Sequence, residues 1–287
     1  MRKGGRGRGP HCPDGRPNVT PHAGDTLAQG DLPGALAALQ DKVRKNAADP
    51  KLRIYLFQLL CVMGDWKRAI AQLKLCAELD AAAIPMAQTY REAIICEVYR
   101  EKVFAGEKDP LIFGEPAEWI ALMIQANRAL AAGEAGRAAE LRARAFDLAP
   151  ATGGTMNGAR FDWIADADMR LGPLLEIVVN GRYYWMPFTA ISSLTVDPPE
   201  DLRDTVWTAA TLRLQNQGAT VALIPTRYVG TASGTDDAAR LARVTTWTDL
   251  GHDTHAGTGQ RLLATPDGDM AIMDLRKLEI DPVPADG

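Results

Sequence analysis

Two stretches of this chain match each other at a fixed spacing, and that spacing constrains the fold more than any other feature. Gly30–Leu36 reads GDLPGAL, and Gly64–Ile70 reads GDWKRAI at an offset of 34 residues. A period of about 34 residues is typical of tetratricopeptide-type (TPR) helical hairpins. In that repeat Gly-Asp turns the chain between two helices, and the following Ala lets the second helix pack closely. The spacing therefore predicts stacked hairpins, whose concave face usually holds a peptide or a helix of another protein.

Apolar residues at helical spacing extend this pattern through the first half of the chain. The predicted helices are residues 50–63 paired with 66–79, a single helix over 85–103, and residues 119–132 paired with 136–148. Asp49 can cap the first of them, and Pro50 suits its first turn. The loop over 106–116 is partly apolar, so we expect it to pack against another part of the protein.

The pattern changes from helix to strand after the Gly-rich break at 151–158. Asn180-Gly181 separates two β-prone runs, and because both turn residues tolerate positive φ, this arrangement predicts a β-hairpin over 174–186. Further strands are predicted at 193–196, 211–214, 220–224, 261–265 and 270–274, with a short helix over 236–244. Short strands joined by close turns predict a small antiparallel sheet, either curled or closed into a barrel.

The predicted fold class is α+β, with an N-terminal TPR-like stack of helical hairpins followed by a small α+β domain. Three segments are expected: a disordered basic arm over 1–22, the helical repeat domain over 23–150 and the small α+β domain over 159–282. The arm is rich in Arg, Gly and Pro, so it cannot bury enough apolar surface to fold.

Charge and composition argue against several classes of function. The net charge of −4 does not suggest a nucleic-acid binder, and no apolar run reaches the length of a membrane span. No apolar segment follows the first basic residues, so no signal peptide is predicted. The four cysteines lack the C-x-x-C spacing of zinc and redox sites, which fits a reducing cytoplasm.

An acidic cluster is the first candidate for chemistry. If residues 161–170 were helical, Asp162 and Asp166 would share a face, and with Asp168 they could bind a hard cation or share a proton. No His or Glu lies nearby to complete such a site, and Arg170 and Arg203 are available as partners. Ion pairing is therefore the favoured interpretation. A hydrolase or metal-dependent enzyme that uses this cluster remains the alternative function.

Other candidate sites are weaker. His252 and His255 place two imidazoles in a Gly-rich loop, without an evident third ligand. Arg203, Arg227 and Arg261 could gather into an anion pocket of a small-molecule or nucleotide sensor, although pairing with Asp is favoured. No catalytic residue, metal site or cofactor is predicted. The tryptophans of the second half are expected to fill its core; they are Trp163, Trp185, Trp207 and Trp247.

The first helix of each hairpin lines the predicted groove and supplies the predicted partner-binding residues. They are Lys51, Ile54, Gln58, Cys61 and Val62, then Gln88, Glu92 and Ile95, then Met123, Asn127 and Leu130. This mixture of apolar and polar side chains suits a bound amphipathic helix. The alternative is that some of these residues pack against the second domain.

Nine stretches, spread over most of the chain, together resemble one known family. They are Leu56–Trp66, Gln88–Ala93, Val103–Gly106, Phe113–Pro116, Trp163–Pro173, Gly181–Phe188, Leu202–Trp207, Ile224–Tyr228 and Gly259–Arg261. On these stretches the chain resembles the ImpE/TagJ family, accessory proteins of bacterial type VI secretion systems. The basic arm at the start departs from the family pattern.

The resemblance implies a cytoplasmic adaptor that is not an enzyme. Its implied partner is the small subunit of the contractile sheath, bound through the N-terminal helix of that subunit. The family is also linked to the ClpV-type AAA+ ATPase that disassembles the sheath. No catalytic residues, nucleic-acid partner or membrane partner follow from the resemblance.

Overall fold

The computed structural model describes residues 27–114, 117–215 and 218–282, and the predicted basic arm lies outside these residues. The described helices are α1 (Leu32–Lys45), α2 (Pro50–Val62), α3 (Trp66–Leu79), α4 (Ile84–Phe104), α5 (Glu118–Ala131), α6 (Ala135–Leu148) and the short α7 (Asp237–Arg240). The predicted helices of the first half are confirmed, with ends that differ by a residue or two. No helix among the described residues combines the length and hydropathy needed to cross a bilayer.

The repeated Gly-Asp turns start two of these helices. Gly30 and Gly64 have φ angles of 84° and 74°, a conformation that glycine adopts without strain. Asp65 then caps α3 by accepting a hydrogen bond from the backbone N–H of Arg68 at 3.2 Å, and Asp31 caps α1 in the same way. α2 packs against α3, and α5 against α6, as the hairpin prediction requires.

The second half is built on an antiparallel sheet with one parallel edge. Its strands are β1 (Leu111–Ile112), β2 (Gly154–Met156), β3 (Ala159–Phe161), β5 (Leu174–Val179), β6 (Arg182–Pro187), β7 (Ile191–Val196), β8 (Trp207–Leu214), β9 (Ala219–Pro225) and β14 (Lys277–Ile280). Their order is β1-β6-β5-β9-β8-β7-β14-β2-β3. β1 and β3 form the two edges, so the sheet is open rather than closed into a barrel.

Two smaller sheets complete the second half. β4 (Ala165–Asp166), β12 (Leu262–Thr265) and β13 (Gly268–Ala271) form one, and β10 (Thr245–Asp249) and β11 (His255–Gly259) form the other. Residues 161–170 are therefore strand and loop, which corrects the helix considered from the sequence. The Asn180-Gly181 hairpin is confirmed, since both residues have positive φ, at 50° and 69°.

The loop after α4 contributes β1 to the sheet. Leu111 lies opposite Tyr184 and Ile112 opposite Trp185 in a parallel pairing with β6. The expectation that this partly apolar loop packs against another part of the protein is confirmed. A segment that precedes α5 thus forms one edge of the sheet.

The helices cover one face of the large sheet, and a second apolar cluster fills the other. Alternation along β5 separates them: Leu174 and Val178 belong to the cluster shared with α2, α4 and α5, whereas Leu175 and Ile177 belong to the second. Trp207 lies on the helix side of the sheet and packs against Tyr90 of α4, with ring centroids 5.6 Å apart. The apolar core therefore runs without interruption from the helices into the sheet.

Candidate docking surface

Five of the partner-binding residues predicted from the sequence lie inside the protein. They are Gln58, Cys61, Val62, Met123 and Asn127, each at most 6% exposed. The others are Lys51, Gln88 and Ile95, which are exposed, and Ile54, Glu92 and Leu130, which are half-buried. These five side chains are not accessible to a partner in this conformation, and Asn127 packs within the helical half, where it donates to the Val103 carbonyl.

The second half of the chain covers the inner face of α2. Arg227, just after β9, donates from Nη1 to the carbonyl of Val62 at 2.8 Å and from Nη2 to that of Cys61 at 3.3 Å. The last carbonyls of a helix lack partners within it and attract a cation, so Arg227 satisfies the end of α2. Gly64 lies so close to Ala232 that a Cβ atom placed on it would stand 2.9 Å from the Ala232 Cβ. The predicted groove is thus occupied at α2 by the protein itself.

A buried ionic network joins α4 to the sheet. Arg100 donates to Glu176 of β5 twice, from Nε to Oε1 at 2.6 Å and from Nη2 to Oε2 at 2.7 Å. Arg261 donates to the same carboxylate and to Asp166, and the Tyr183 hydroxyl also donates to Glu176. Buried charges are tolerated only when they are paired and hydrogen-bonded, as these are. The pairing indicates a structural role for the network.

The two carboxyl groups of this network have opposite pKa shifts. Burial raises the pKa of Glu176, but Arg100 and Arg261 outweigh burial and hold the pKa at about 2. Burial also raises the pKa of Asp166; Arg261 opposes the shift and Asp168 adds to it, so the pKa is about 7. Asp166 is therefore a buried group that changes protonation near neutral pH.

The three residues of the predicted acidic cluster have different environments. Asp168 is buried; it accepts from Arg170 Nη2 at 2.5 Å and from the backbone N–H of Gly257 at 2.9 Å. Asp166 pairs with Arg261, whereas Asp162 is exposed. Ion pairing, the interpretation favoured from the sequence, is confirmed for the two buried residues.

The three arginines of the suggested anion pocket each have their own partners. Arg261 pairs with Asp166, as favoured, and Arg227 binds backbone carbonyls. Arg203 pairs with Asp201 rather than with the acidic cluster, and its guanidinium lies 4.8 Å from the centre of the Tyr90 ring. Because each guanidinium group is held by different partners, the three do not form a common anion pocket.

One of the two loop histidines lies next to the acidic cluster, since the His255 carbonyl accepts from the backbone N–H of Met169 at 3.3 Å. His252 lies in the turn between β10 and β11 with φ 52°, and its ring packs near Gly136 of α6. His255 is exposed at the start of β11. Across the described residues, no group of three or more His, Cys, Asp or Glu side chains is arranged to hold a metal ion.

An accessible part of the predicted face remains on α4. Its members are Ile84, Gln88, Glu92, Ile95 and Val98, joined by Val221 of β9, and we call this surface the α4 strip. Three of them are exposed aliphatic residues of α4 at spacings of 11 and 3, and Ile95 is 48% exposed. Glu92 lines a cavity of about 230 Å³ together with Val221, which is 69% exposed. The strip therefore combines exposed apolar side chains with one carboxylate at a concavity.

Three members of the α4 strip are not among the residues predicted from the sequence. Ile84 and Val98 lie on the same helical face as Ile95, so a helical projection of α4 would have identified them. Val221 could not be found in this way, because exposed and buried residues do not alternate along β9, where Ala222–Pro225 are all buried. No sequence signal placed β9 next to α4.

A second concavity, of about 430 Å³, lies at the end of α6. Its walls are mostly apolar and include Phe146, Trp163, Met169 and Pro173. Trp163 is 42% exposed and Trp247 of β10 is 40% exposed, which corrects the expectation that all four tryptophans fill the core. Trp185 and Trp207 do fill it, with no exposed surface.

Comparison with known proteins gives three findings. A profile of the family described as "ImpE protein" matches residues 158–279. The "Type VI secretion system accessory component TagJ" of Pseudomonas aeruginosa is 52% identical over 263 residues, which cover 92% of each chain. The crystal structure of protein VPA1032 from Vibrio parahaemolyticus superposes with a TM-score of 0.82 at 25% identity, covering 90% of this chain and 97% of that one. The similarity extends through the helices and the sheet alike.

Proposed function

The chain belongs to the ImpE family, and from that membership we propose that it is an accessory component of a bacterial type VI secretion system. The observation that carries this proposal is 52% identity to TagJ over 92% of both chains. We place the protein in the cytoplasm as a non-enzymatic adaptor. The pairing of Asp166 and Asp168 with arginines supports an adaptor over a hydrolase, because a catalytic carboxylate needs access to substrate.

Within that role we propose that the α4 strip docks the N-terminal helix of the small sheath subunit. The support is geometric. Ile84, Ile95 and Val98 expose aliphatic surface along one side of α4, as a helix-in-groove contact requires. Glu92 adds a carboxylate at the adjoining cavity, which suits a Lys or Arg on the incoming helix. The predicted residues Gln88, Glu92 and Ile95 belong to this surface, whereas the buried residues of α2 and α5 do not.

We further propose that docking brings the sheath subunit to the AAA+ ATPase that handles the sheath. A ternary complex of the chain, the small sheath subunit and the ATPase is the expected result of mixing the three proteins. An adaptor of this kind needs two separate surfaces, and the α4 strip supplies one of them.

A binding experiment with the full chain tests the docking proposal. Isothermal titration calorimetry is performed with the complete small sheath subunit and with a form that lacks the N-terminal helix. We expect binding to the first and a large loss with the second. Equal affinity for both forms would contradict helix docking. Absence of binding to either form would also remove the sheath subunit as the partner.

A further inference from the structure

β10 has a backbone edge that the described protein leaves unpaired. Its five residues all pair with β11, and no other strand among residues 27–114, 117–215 and 218–282 pairs with it. The hydrogen bond from the Leu250 N–H to the Thr254 carbonyl, together with the register of the pair, shows that Thr246 and Thr248 are the β10 residues whose backbone groups bond to β11. Because bonding directions alternate along an antiparallel strand, Thr245, Trp247 and Asp249 direct their N–H and C=O groups away from β11.

The opposite edge of this ribbon is covered by the protein itself. The Gly257 N–H donates to Asp168 Oδ2 at 2.9 Å, and the Gly259 N–H donates to Thr231 Oγ1 at 2.9 Å. β10 has no comparable cover among the described residues, and Asp249 is its one charged side chain. Its sequence, TTWTD, contains no Pro or Lys, and its pairing with β11 shows no bulge.

We propose that β10 is a homodimerisation edge, which pairs antiparallel with β10 of a second copy of this chain. A two-fold axis at Trp247 places this residue opposite the partner's Trp247. Each outward-facing residue of β10 then exchanges both of its backbone groups with the residue opposite it. The result is a continuous four-stranded sheet formed by the two ribbons.

The side chains of β10 are complementary to themselves in this register. Thr246 faces the partner's Thr248, Val244 faces the partner's Leu250, and Asp249 faces the partner's Thr245. Threonine pairs and apolar pairs are favourable across antiparallel strands, and no like charges stand opposite each other. Thr246 and Thr248 are exposed and Val244 is 38% exposed, so these side chains are available for contact. A register centred on Asp249 would instead oppose two carboxylates.

Two double variants with the same positions but different charge patterns test this pairing. Thr246→Lys with Thr248→Lys places Lys opposite Lys twice across the two-fold axis. Thr246→Lys with Thr248→Glu places Lys opposite Glu twice. The full chain and both variants are compared by sedimentation velocity over a wide concentration series. We expect the native chain to dimerise reversibly, the Lys/Lys variant to dimerise at least tenfold more weakly, and the Lys/Glu variant to dimerise at least as well as the native chain.

Three outcomes would overturn the proposal. The first is a native chain that stays monomeric at the highest soluble concentration. The second is a dimer that the Lys/Lys variant leaves unchanged, because another surface would then hold it. The third is equal weakening by both variants, because the charge pattern would then not report on a facing Thr246–Thr248 pair. Both positions are exposed, and matching thermal unfolding curves confirm that the variants fold alike.

Discussion

Arg100 of α4 and Glu176 of β5 form a two-bond ion pair across the boundary between helices and sheet, although 76 positions separate them in the sequence. Arg100 is 3% exposed and Glu176 is fully buried. A fork of two parallel hydrogen bonds fixes orientation as well as distance. The pair therefore sets how the longest helix lies on the sheet.

Arg100→Ala is expected to destabilise the protein by about 3–5 kcal/mol, because it leaves part of the charge of Glu176 buried without its partner. The measurement is the free energy of unfolding in urea. Arg128→Ala is the matched control, since Arg128 pairs with Asp109 at the surface. An exposed pair contributes about 0–1 kcal/mol. Equal losses in the two variants would contradict a buried tie between α4 and β5.

Asp166 should make the stability depend on pH between about 4 and 7. Its pKa is raised by burial from 3.8 to about 7, so the folded protein holds a proton that the unfolded chain has released in this range. The stabilisation that Asp166 contributes is fully present below pH 4 and is lost as the pH rises through 7. The loss is at most about 4 kcal/mol. Glu176 acts in the opposite direction, because its lowered pKa removes stability only below about pH 4.5.

Unfolding of Asp166→Asn, measured at several pH values, isolates the contribution of Asp166. The free energy of unfolding of this variant is expected to fall much less between pH 4 and 7 than that of the native chain. Asp162→Asn, at an exposed position of the same stretch, should retain the native fall. If the native and Asp166→Asn curves run parallel over this range, Asp166 is not the group responsible.

Gly64 is predicted to tolerate alanine less well than Gly133, although both have positive φ, at 74° and 81°. A Cβ at Gly64 would stand 2.9 Å from the Ala232 Cβ, whereas nothing lies within 4 Å of one at Gly133. Gly133→Ala should cost about 1–2 kcal/mol from the left-handed backbone alone, and Gly64→Ala about 1 kcal/mol more. Adding Ala232→Gly should recover part of the Gly64→Ala loss. If the effects of Gly64→Ala and Ala232→Gly on the free energy of unfolding were additive in this double-mutant cycle, the two residues would not be in contact.

Ile95→Asp is expected to weaken binding of the sheath-subunit helix by about 2 kcal/mol or more, which is roughly thirtyfold in Kd. The change places a charge in the middle of the apolar part of the α4 strip. Leu148→Asp is the control, because Leu148 is 51% exposed at the end of α6 and outside the strip. Similar affinities for the two variants, both folded, would exclude the strip as the docking surface.

Local signals predicted the local structure well. The Gly-Asp turns and the apolar spacing placed α3 at residues 66–79, where it begins and ends in the structure. Asn180-Gly181 predicted its hairpin because few residue pairs adopt two successive positive φ angles. Local spacing did not decide the structure of residues 161–170, because Asp162 and Asp166 fit one face of a helix as well as the observed strand and loop. The assignment of separate folding units at 23–150 and 159–282 stays a prediction.

Packing between segments that are distant in the chain could not be predicted from the sequence. The burial of Gln58 and Asn127 depends on what faces them, and nothing in their spacing reveals a second layer. Asn127 donates to the Val103 carbonyl at 2.7 Å, a contact between two helices that no repeat pattern encodes. Arg100 and Glu176 likewise read as ordinary charged residues until the fold brings them together. Val221 of the α4 strip was missed for the same reason, because it comes from a distant strand.

β1 has a practical consequence for anyone who divides the chain. Its two residues precede α5, so a fragment cut out from residue 151 onward would lose the strand that flanks β6. The backbone of Tyr184 and Trp185 would then be exposed to solvent, and Trp185 would also lose its tilted contact with the Phe104 ring, whose centre is 5.8 Å away. Such a fragment should adhere to itself and to unrelated proteins. Capture assays that use the second half by itself would then recover proteins that bind nonspecifically to the exposed strand edge.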